Sequence, residues 1–231
     1  METLIAVMTC AAYRDRADAQ RATWVKDIPA GQGYRFFVGQ GGPAAADTIV
    51  LDVPDDYRHF TLKVQAMRRW AYDRGYEAVC KIDDDCYVRP ERLLAAVPVG
   101  LDYVGRTRGP SGNKPARYNS GFCYWMSRRA IEALLDVPWD RDVAEDRWAA
   151  NELRKQGIRA TLDSRYVVSW SLRNSVRDEE GPCRDNDVIA ACEFEPQMMR
   201  QVHDEFVNRR ESEATNLRPC GADPCEEGVL S

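Results

Sequence analysis

Tyr76-Glu-Ala-Val-Cys-Lys-Ile-Asp-Asp-Asp-Cys-Tyr-Val88 is an apolar, β-branched run that ends in three consecutive carboxylates and then turns apolar again. Val79, Cys80 and Ile82 read as a short buried strand, and strands of a parallel sheet carry their ligand-binding residues at their carboxyl ends. Side chains alternate along extended backbone, so Asp83 and Asp85 are expected on one side and Asp84 on the other. Two carboxylates on one face repel unless a cation lies between them. Hard divalent ions such as Mg²⁺ or Mn²⁺ prefer carboxylate and phosphate oxygens, which makes a metal diphosphate the natural occupant. A solvated acidic turn is the competing reading. The apolar flanks weigh against it, because an uncompensated acidic cluster between buried segments is costly.

Outward from this stretch, strands alternate with helices. Leu4 to Thr9 reads as a first strand, followed by a polar turn at Ala11 to Asp15, across which a nucleotide could lie, and a helix from about Arg16 to Val25. Gly33 to Gly39 and Thr48 to Val53 read as further strands, separated by the Gly41-Gly-Pro43 loop. His59 to Arg74 places Phe60, Val64, Met67 and Ala71 at helical spacing and ends at Gly75, a suitable C-cap. Beyond the acidic strand, Pro90 to Val97 reads as a helix and Tyr103 to Gly105 as a strand. An aromatic strand, Arg117 to Ser127, is entered through Ser120-Gly121, where glycine suggests close approach of a ligand or another backbone. Helices are expected over Arg128 to Leu135, Asp142 to about Gln156 and Pro196 to about Arg210, and extended chain over Ile158 to Leu162 and Tyr166 to Trp170. The order predicts an α/β sheet with a site along one edge of strand ends.

The chain has 231 residues, 44% hydrophobic, enough for one domain over residues 1–210 to bury a core unaided, with a polar tail over 211–231. A net charge of −5 argues against indiscriminate binding to nucleic acid or anionic membrane. No segment approaches a membrane span and Leu4 to Cys10 is too short for a signal sequence, so a cytoplasmic protein is expected. Of the eight cysteines, Cys10, Cys80, Cys86 and Cys123 lie in or beside expected strands and read as reduced thiols. Cys220 and Cys225 lack a second pair at zinc-ribbon spacing.

Two further segments carry candidate chemistry. Arg106, Arg108, Lys114, Arg117, Arg128 and Arg129 fall in a stretch without acids, readable as a solvated loop or as an anion-facing loop that orders over a phosphate. Asp142 with Glu145 resembles a capping box, which accounts for one of Glu145 and Asp146 and leaves the other for chemistry. At a helix start the dipole would keep Asp146 ionised and able to accept a proton. His203 on the last helix reads as a surface or packing residue.

Arg21-Ala-Thr-Trp24, Phe37-Val-Gly39, Asp55-Asp-Tyr57 with Leu62-Lys63, Lys81-Ile-Asp-Asp-Asp85, Tyr118 to Ser127 and Glu145-Asp146, in this order, resemble glycosyltransferase family 31, the β-1,3-galactosyltransferase and Fringe-like group. The resemblance runs from about residue 5 to 165. It implies a GT-A fold, a Rossmann-like mixed sheet flanked by helices, and an inverting transfer of a hexose from a UDP-sugar through a Mn²⁺ or Mg²⁺ bridge. It implies Asp83 and Asp85 in the metal motif, with Arg21, Thr23, Lys63, Asp83, Asp84 and Gly121 at the nucleotide and donor. Asp146 matches the family's general base. Two departures stand out: the family is membrane-anchored and luminal, which suggests here a cytoplasmic bacterial or phage relative, and the family's late metal-binding His is replaced by Cys192-Glu-Phe-Glu-Pro196. Glu193 is the expected substitute ligand, with His203 or water as alternatives. The expected acceptor is a hydroxyl of a glycan or glycoside. A hydroxymethylated base in phage DNA, met by the basic stretch, is an alternative, and a non-catalytic nucleotide- or partner-binding module is another.

Overall fold

The computed structural model describes residues 1–108, 117–140, 142–168 and 188–216. The seven-stranded sheet is built from β1 (Thr3–Met8), β2 (Gly33–Val38), β3 (Thr48–Val50), β4 (Ala78–Asp83), β6 (Tyr103–Arg108), β7 (Tyr118–Ser127) and β8 (Thr161–Leu162). Its order is β3-β2-β1-β4-β7-β6-β8. β3, β2, β1 and β4 run parallel, β7 is antiparallel to both β4 and β6, and β8 is parallel to β6. A smaller three-stranded sheet joins β5 (Tyr87–Val88), β10 (Ala190–Ala191) and β9 (Tyr166–Val167).

Both faces of the large sheet are covered, and the alternation of side chains shows how. On β1, Ile5 and Val7 enter one apolar cluster while Leu4, Ala6 and Met8 enter the other. The first face packs against α1 (Arg14–Ala22), α3 (Pro90–Ala95) and α6 (Pro196–Asn216), through Ala17, Leu93, Met199 and Val202. The second packs against α2 (Phe60–Asp73), α4 (Arg128–Glu132) and α5 (Glu145–Lys155), through Val64, Met67, Ile131 and Trp148. Burying each of the Val, Leu, Ile and Met side chains among them stabilises the fold by about 1.5–3 kcal/mol. The layered α/β architecture is therefore the one expected.

Several boundaries move. α1 ends at Ala22 and a 3₁₀ turn, Trp24–Asp27, continues the chain. α2 ends where expected, at Gly75 with φ +82°. α5 begins at Glu145, not Asp142, and its N-cap is Ala144 without a side-chain hydrogen bond. The expected capping box does not form: the Asp142 amide donates to Asp140 Oδ1 instead. α6 runs through position 210 to Asn216.

Lys114, the end of the 166–170 extension, the charged segment up to Asp187, and Cys220 with Cys225 lie outside the described residues. Cys10, Cys80, Cys86, Cys123 and Cys192 are free thiols. Among the described residues no helix is long and apolar enough to cross a membrane.

Candidate active site

The chain runs outward through β1, β2 and β3 and then returns to the other side of β1 as β4. A crevice opens outside the carboxyl ends of two parallel strands where the order reverses in this way. A cleft of about 510 Å³ lies there, lined by Thr9 after β1, Asp55 and Lys63, Lys81 and Asp83 of β4 with Asp84 and Asp85 just beyond it, Gly121 of β7, and Glu145 with Asp146 of α5.

The two halves of the crevice are bonded together. Thr9 Oγ1 donates to Asp84 Oδ2 at 2.9 Å. Arg16 of α1 reaches Asp84 at 3.6 Å and Glu195 at 3.5 Å. Asp83 turns the other way and pairs with Lys81, two residues earlier on the same face of β4. Asp83 and Asp84 therefore have partners on different sides, as expected for neighbouring positions, while Asp85 lies in the turn that follows. Lys81 is buried, its Nζ also donates to the Gly121 carbonyl, and it lies 5.0 Å from the centroid of Phe60. Burial opposes its charge, but Asp83 and Glu145 outweigh that and hold it as a cation. Burial pushes the Asp83 carboxyl up to about 7, Lys81 opposing and Asp85 adding to the rise. Asp84 is pushed up to about 6 by burial, against the bonds from Thr9 and Arg16.

Three segments that carry the family resemblance meet in one scaffold beside the cleft. Asp55 accepts from the Gly39 amide at 2.8 Å, the Ala11 amide at 2.7 Å and Lys63 Nζ at 2.8 Å. Lys63 also donates to the Thr9 carbonyl at 2.6 Å. Burial would raise the Asp55 carboxyl, but these bonds hold it below the ordinary range. Glycine is required at position 39, where a Cβ would sit 2.7 Å from Asp55 Cα. Lys63, expected at the donor, lines the cleft while tying the ends of β1 and β2 to α2.

At the opposite wall Asp146 accepts from the Gly121 amide at 3.2 Å and from the Arg147 amide at 2.7 Å. Burial and the neighbouring Glu145 raise its carboxyl, so the structure shows an Asp146 that holds its proton more firmly than a helix dipole alone suggests. Glu145 accepts from Arg68 and from Tyr124 Oη, the latter at 2.9 Å. That buried pair, not a cap, accounts structurally for Glu145.

Other expected site residues fall elsewhere. Thr23 is buried and donates to the Ala19 carbonyl at 2.7 Å. Arg21 pairs with Asp47 at 2.9 Å and lines a separate hollow of about 270 Å³, which shares Thr9 and Cys10 with the cleft. Glu193 is exposed, with φ 67°, and is not among the residues lining the cleft. The adjoining Phe194 amide donates to the Asp85 carbonyl at 3.0 Å, so its turn is held against the acidic one. His203 is buried and meets Tyr87 Oη at 3.1 Å, in agreement with a packing role. Among the described residues no group of three or more His, Cys, Asp or Glu side chains is arranged around a metal.

Among the described residues, Arg128 and Arg129 of the basic stretch stand apart from Arg108. β7 runs against β4, so Tyr118 and Arg108 lie at the cleft end of the sheet while Ser127 pairs with Ala78 at the far end. There Arg128 donates to the Tyr72 carbonyl at 3.0 Å and Arg129 to Asp102 at 2.6 Å.

Arg68 is the site residue that sequence reasoning passed over, while Lys81 and Asp55 stood in the resemblance segments without a role. The one available signal was a cation at a buried position of a strand or helix stripe, where charge is rare unless paired.

A galactosyltransferase family model matches residues 16–100, which include the acidic triplet. Curated proteins gave no match. Among solved structures, a glycosyltransferase involved in the glycosylation of the major capsid of PBCV-1 is similar over 87% of this chain and 98% of its own, with TM-score 0.53 and 10% identity. Galactosyltransferase LgtC, solved with donor and acceptor sugar analogs, is similar over 95% of this chain and 98% of its own, with TM-score 0.52 and 12% identity. The family model and these structures together support a glycosyltransferase enzyme, and the fold of the chain is the GT-A fold of glycosyltransferases.

Proposed function

We propose that the chain moves a hexose from a UDP-sugar to an acceptor hydroxyl with inversion at the anomeric carbon, in a metal-dependent reaction. The observation that carries this reading is the cleft itself, which brings an acidic strand end and a separate, half-buried carboxylate to one space across Gly121. The donor set suits Mn²⁺ or Mg²⁺, since such ions need only one or two carboxylates when phosphates and water complete the shell. Asp85, with Asp83 beside it, would hold the ion, and Glu193 on the adjoining turn is the candidate further ligand. When bound, the ion supplies neutralising charge for the diphosphate.

The chain's own residues do the rest. Thr9, Arg16 and Lys81 fix Asp84 and Asp83, so the acidic turn is set before a ligand arrives. Asp146 takes the proton from the acceptor hydroxyl, which attacks the anomeric carbon from the side away from the departing UDP. Lys81, a fixed cation between Asp83 and Gly121, opposes the negative charge that gathers there. Arg21 and the hollow it lines adjoin the cleft through Thr9 and Cys10 and supply room for the nucleoside.

A carbohydrate acceptor is favoured over DNA. One structural relative was solved with sugar analogs for both substrates, and Arg128 and Arg129 lie at the end of the sheet away from the cleft, where they are already bonded within the fold. The test is UDP release from UDP-glucose, UDP-galactose and UDP-N-acetylglucosamine with pooled glycosides or hydroxymethylated DNA. Metal-dependent release stimulated by a glycoside supports the reading; binding of donor without any turnover would favour a non-catalytic module.

A further inference from the structure

Arg68 and Glu145 form an ion pair that is buried on both sides, with 1% and 4% of the side chains exposed. Arg68 also donates to Tyr124 Oη at 2.8 Å and to Gln65 Oε1 at 3.0 Å, and Gln65 in turn donates to the Leu134 carbonyl at 3.0 Å. One guanidinium thereby links α2 to β7 and to the first residue of α5.

Such a pair is a poor way to gain stability. Desolvating both charges costs about as much as their attraction returns, and apolar residues of the same volume commonly do as well or better. Its position supplies another role. α5 starts without a side-chain cap, so no capping bond fixes the rotation of its first turn. Successive residues of a helix project about 100° apart. With Glu145 drawn inward to Arg68, Asp146 is carried round to the Gly121 amide and the cleft.

We propose that Arg68 is a positioning residue: by holding Glu145 it sets the rotation of the α5 start and aims the Asp146 carboxylate at the acceptor hydroxyl. The proposal rests on Asp146 as the base. It gives the two adjacent carboxylates different duties by environment, Glu145 locked to a cation and Asp146 left to exchange a proton.

Arg68→Met alone leaves a buried carboxylate without its cation and is expected to damage the fold. The informative variant is Arg68→Met with Glu145→Leu, which removes both charges together. Its melting temperature, its UDP-sugar dissociation constant by calorimetry, and its transfer kinetics are compared with the unaltered chain. The expected result is melting within a few degrees, donor binding and both KM values unchanged within about twofold, and kcat for transfer lowered at least about tenfold, since orientation of a catalytic group is what is lost. A wild-type kcat overturns the proposal. A double variant that fails to fold also overturns it, because the pair is then a stability element. If Asp146→Asn abolishes transfer while the double variant is fully active, only the role of Arg68 falls; if Asp146→Asn transfers normally, the assignment of the base falls first.

Discussion

The amide of Gly121 donates to Asp146 Oδ2 at 3.2 Å, while the carbonyl of the same glycine accepts from Lys81. A single peptide residue on β7 therefore stands between the acidic strand end and the candidate base. Gly121 thereby bonds to Asp146 through its amide and to Lys81 through its carbonyl.

The first consequence concerns pH. Burial and Glu145 raise the Asp146 carboxyl, so its proton-accepting form appears at higher pH than the value of about 3.9 of an ordinary aspartate. Transfer at saturating substrates should rise with pH along an acidic limb whose midpoint lies above that value. A profile flat down to pH 4 would contradict the role of Asp146.

Asp83 and Asp84, pushed up to about 7 and about 6, make a second prediction. Between the unfolded value of about 3.9 and these folded values, the native state binds more protons than the unfolded chain. The sign is then fixed: their contribution to stability falls as pH rises from about 4 to about 7. A divalent ion favours the ionised carboxylates, so excess Mn²⁺ at pH 8 should raise the melting temperature more than at pH 5. Asp85→Ala should remove most of that gain; an equal gain in the variant would take Asp85 out of the metal site.

Lys63 and Asp55 are buried partners, and removing one leaves the other charge uncompensated. Lys63→Met should lower the unfolding free energy by about 3 kcal/mol in urea titration. Gly39→Ala, which sets a Cβ 2.7 Å from Asp55 Cα, should cost about 1–3 kcal/mol at the same scaffold. A Lys63→Met chain as stable as the original, with a raised KM for donor alone, would assign Lys63 to the ligand instead.

Gly121 differs from Gly39. A Cβ there meets Asp146 no closer than 3.6 Å, an ordinary contact, so Gly121→Ala should leave the melting temperature within about 2 °C while narrowing the cleft. Donor KM is expected to rise severalfold; an unchanged KM would remove Gly121 from the donor wall.

Much of this arrangement was legible in the chain. Apolar runs at Leu4 to Thr9 and Val79 to Ile82, with the helical spacing of Phe60, Val64, Met67 and Ala71, led to the α/β layers, and the acidic triplet marked the strand end. The start of α5 was misplaced because Asp142 and Glu145 have capping-box spacing, whereas tertiary pairing with Arg68 draws Glu145 inward. Arg68 was passed over for a related reason: a cation on an apolar helix stripe is explained only by a partner distant in sequence, here Glu145. Lys81 has Asp83 close by in the chain, but its second partner, the Gly121 carbonyl, comes from another strand. Likewise Lys63 was expected at the donor and Gly39 and Asp55 stood in resemblance segments without a role, yet the three are bonded to one another across the fold.

The most direct test of the account is Asp146→Asn, with UDP-sugar binding by calorimetry and transfer to the stimulating acceptor measured on the same preparation with Mn²⁺. The account predicts donor binding within about twofold of the original and transfer lowered by about 10²–10⁴-fold, the usual worth of a positioned general base. Transfer within tenfold of the original, with donor binding intact, would contradict it.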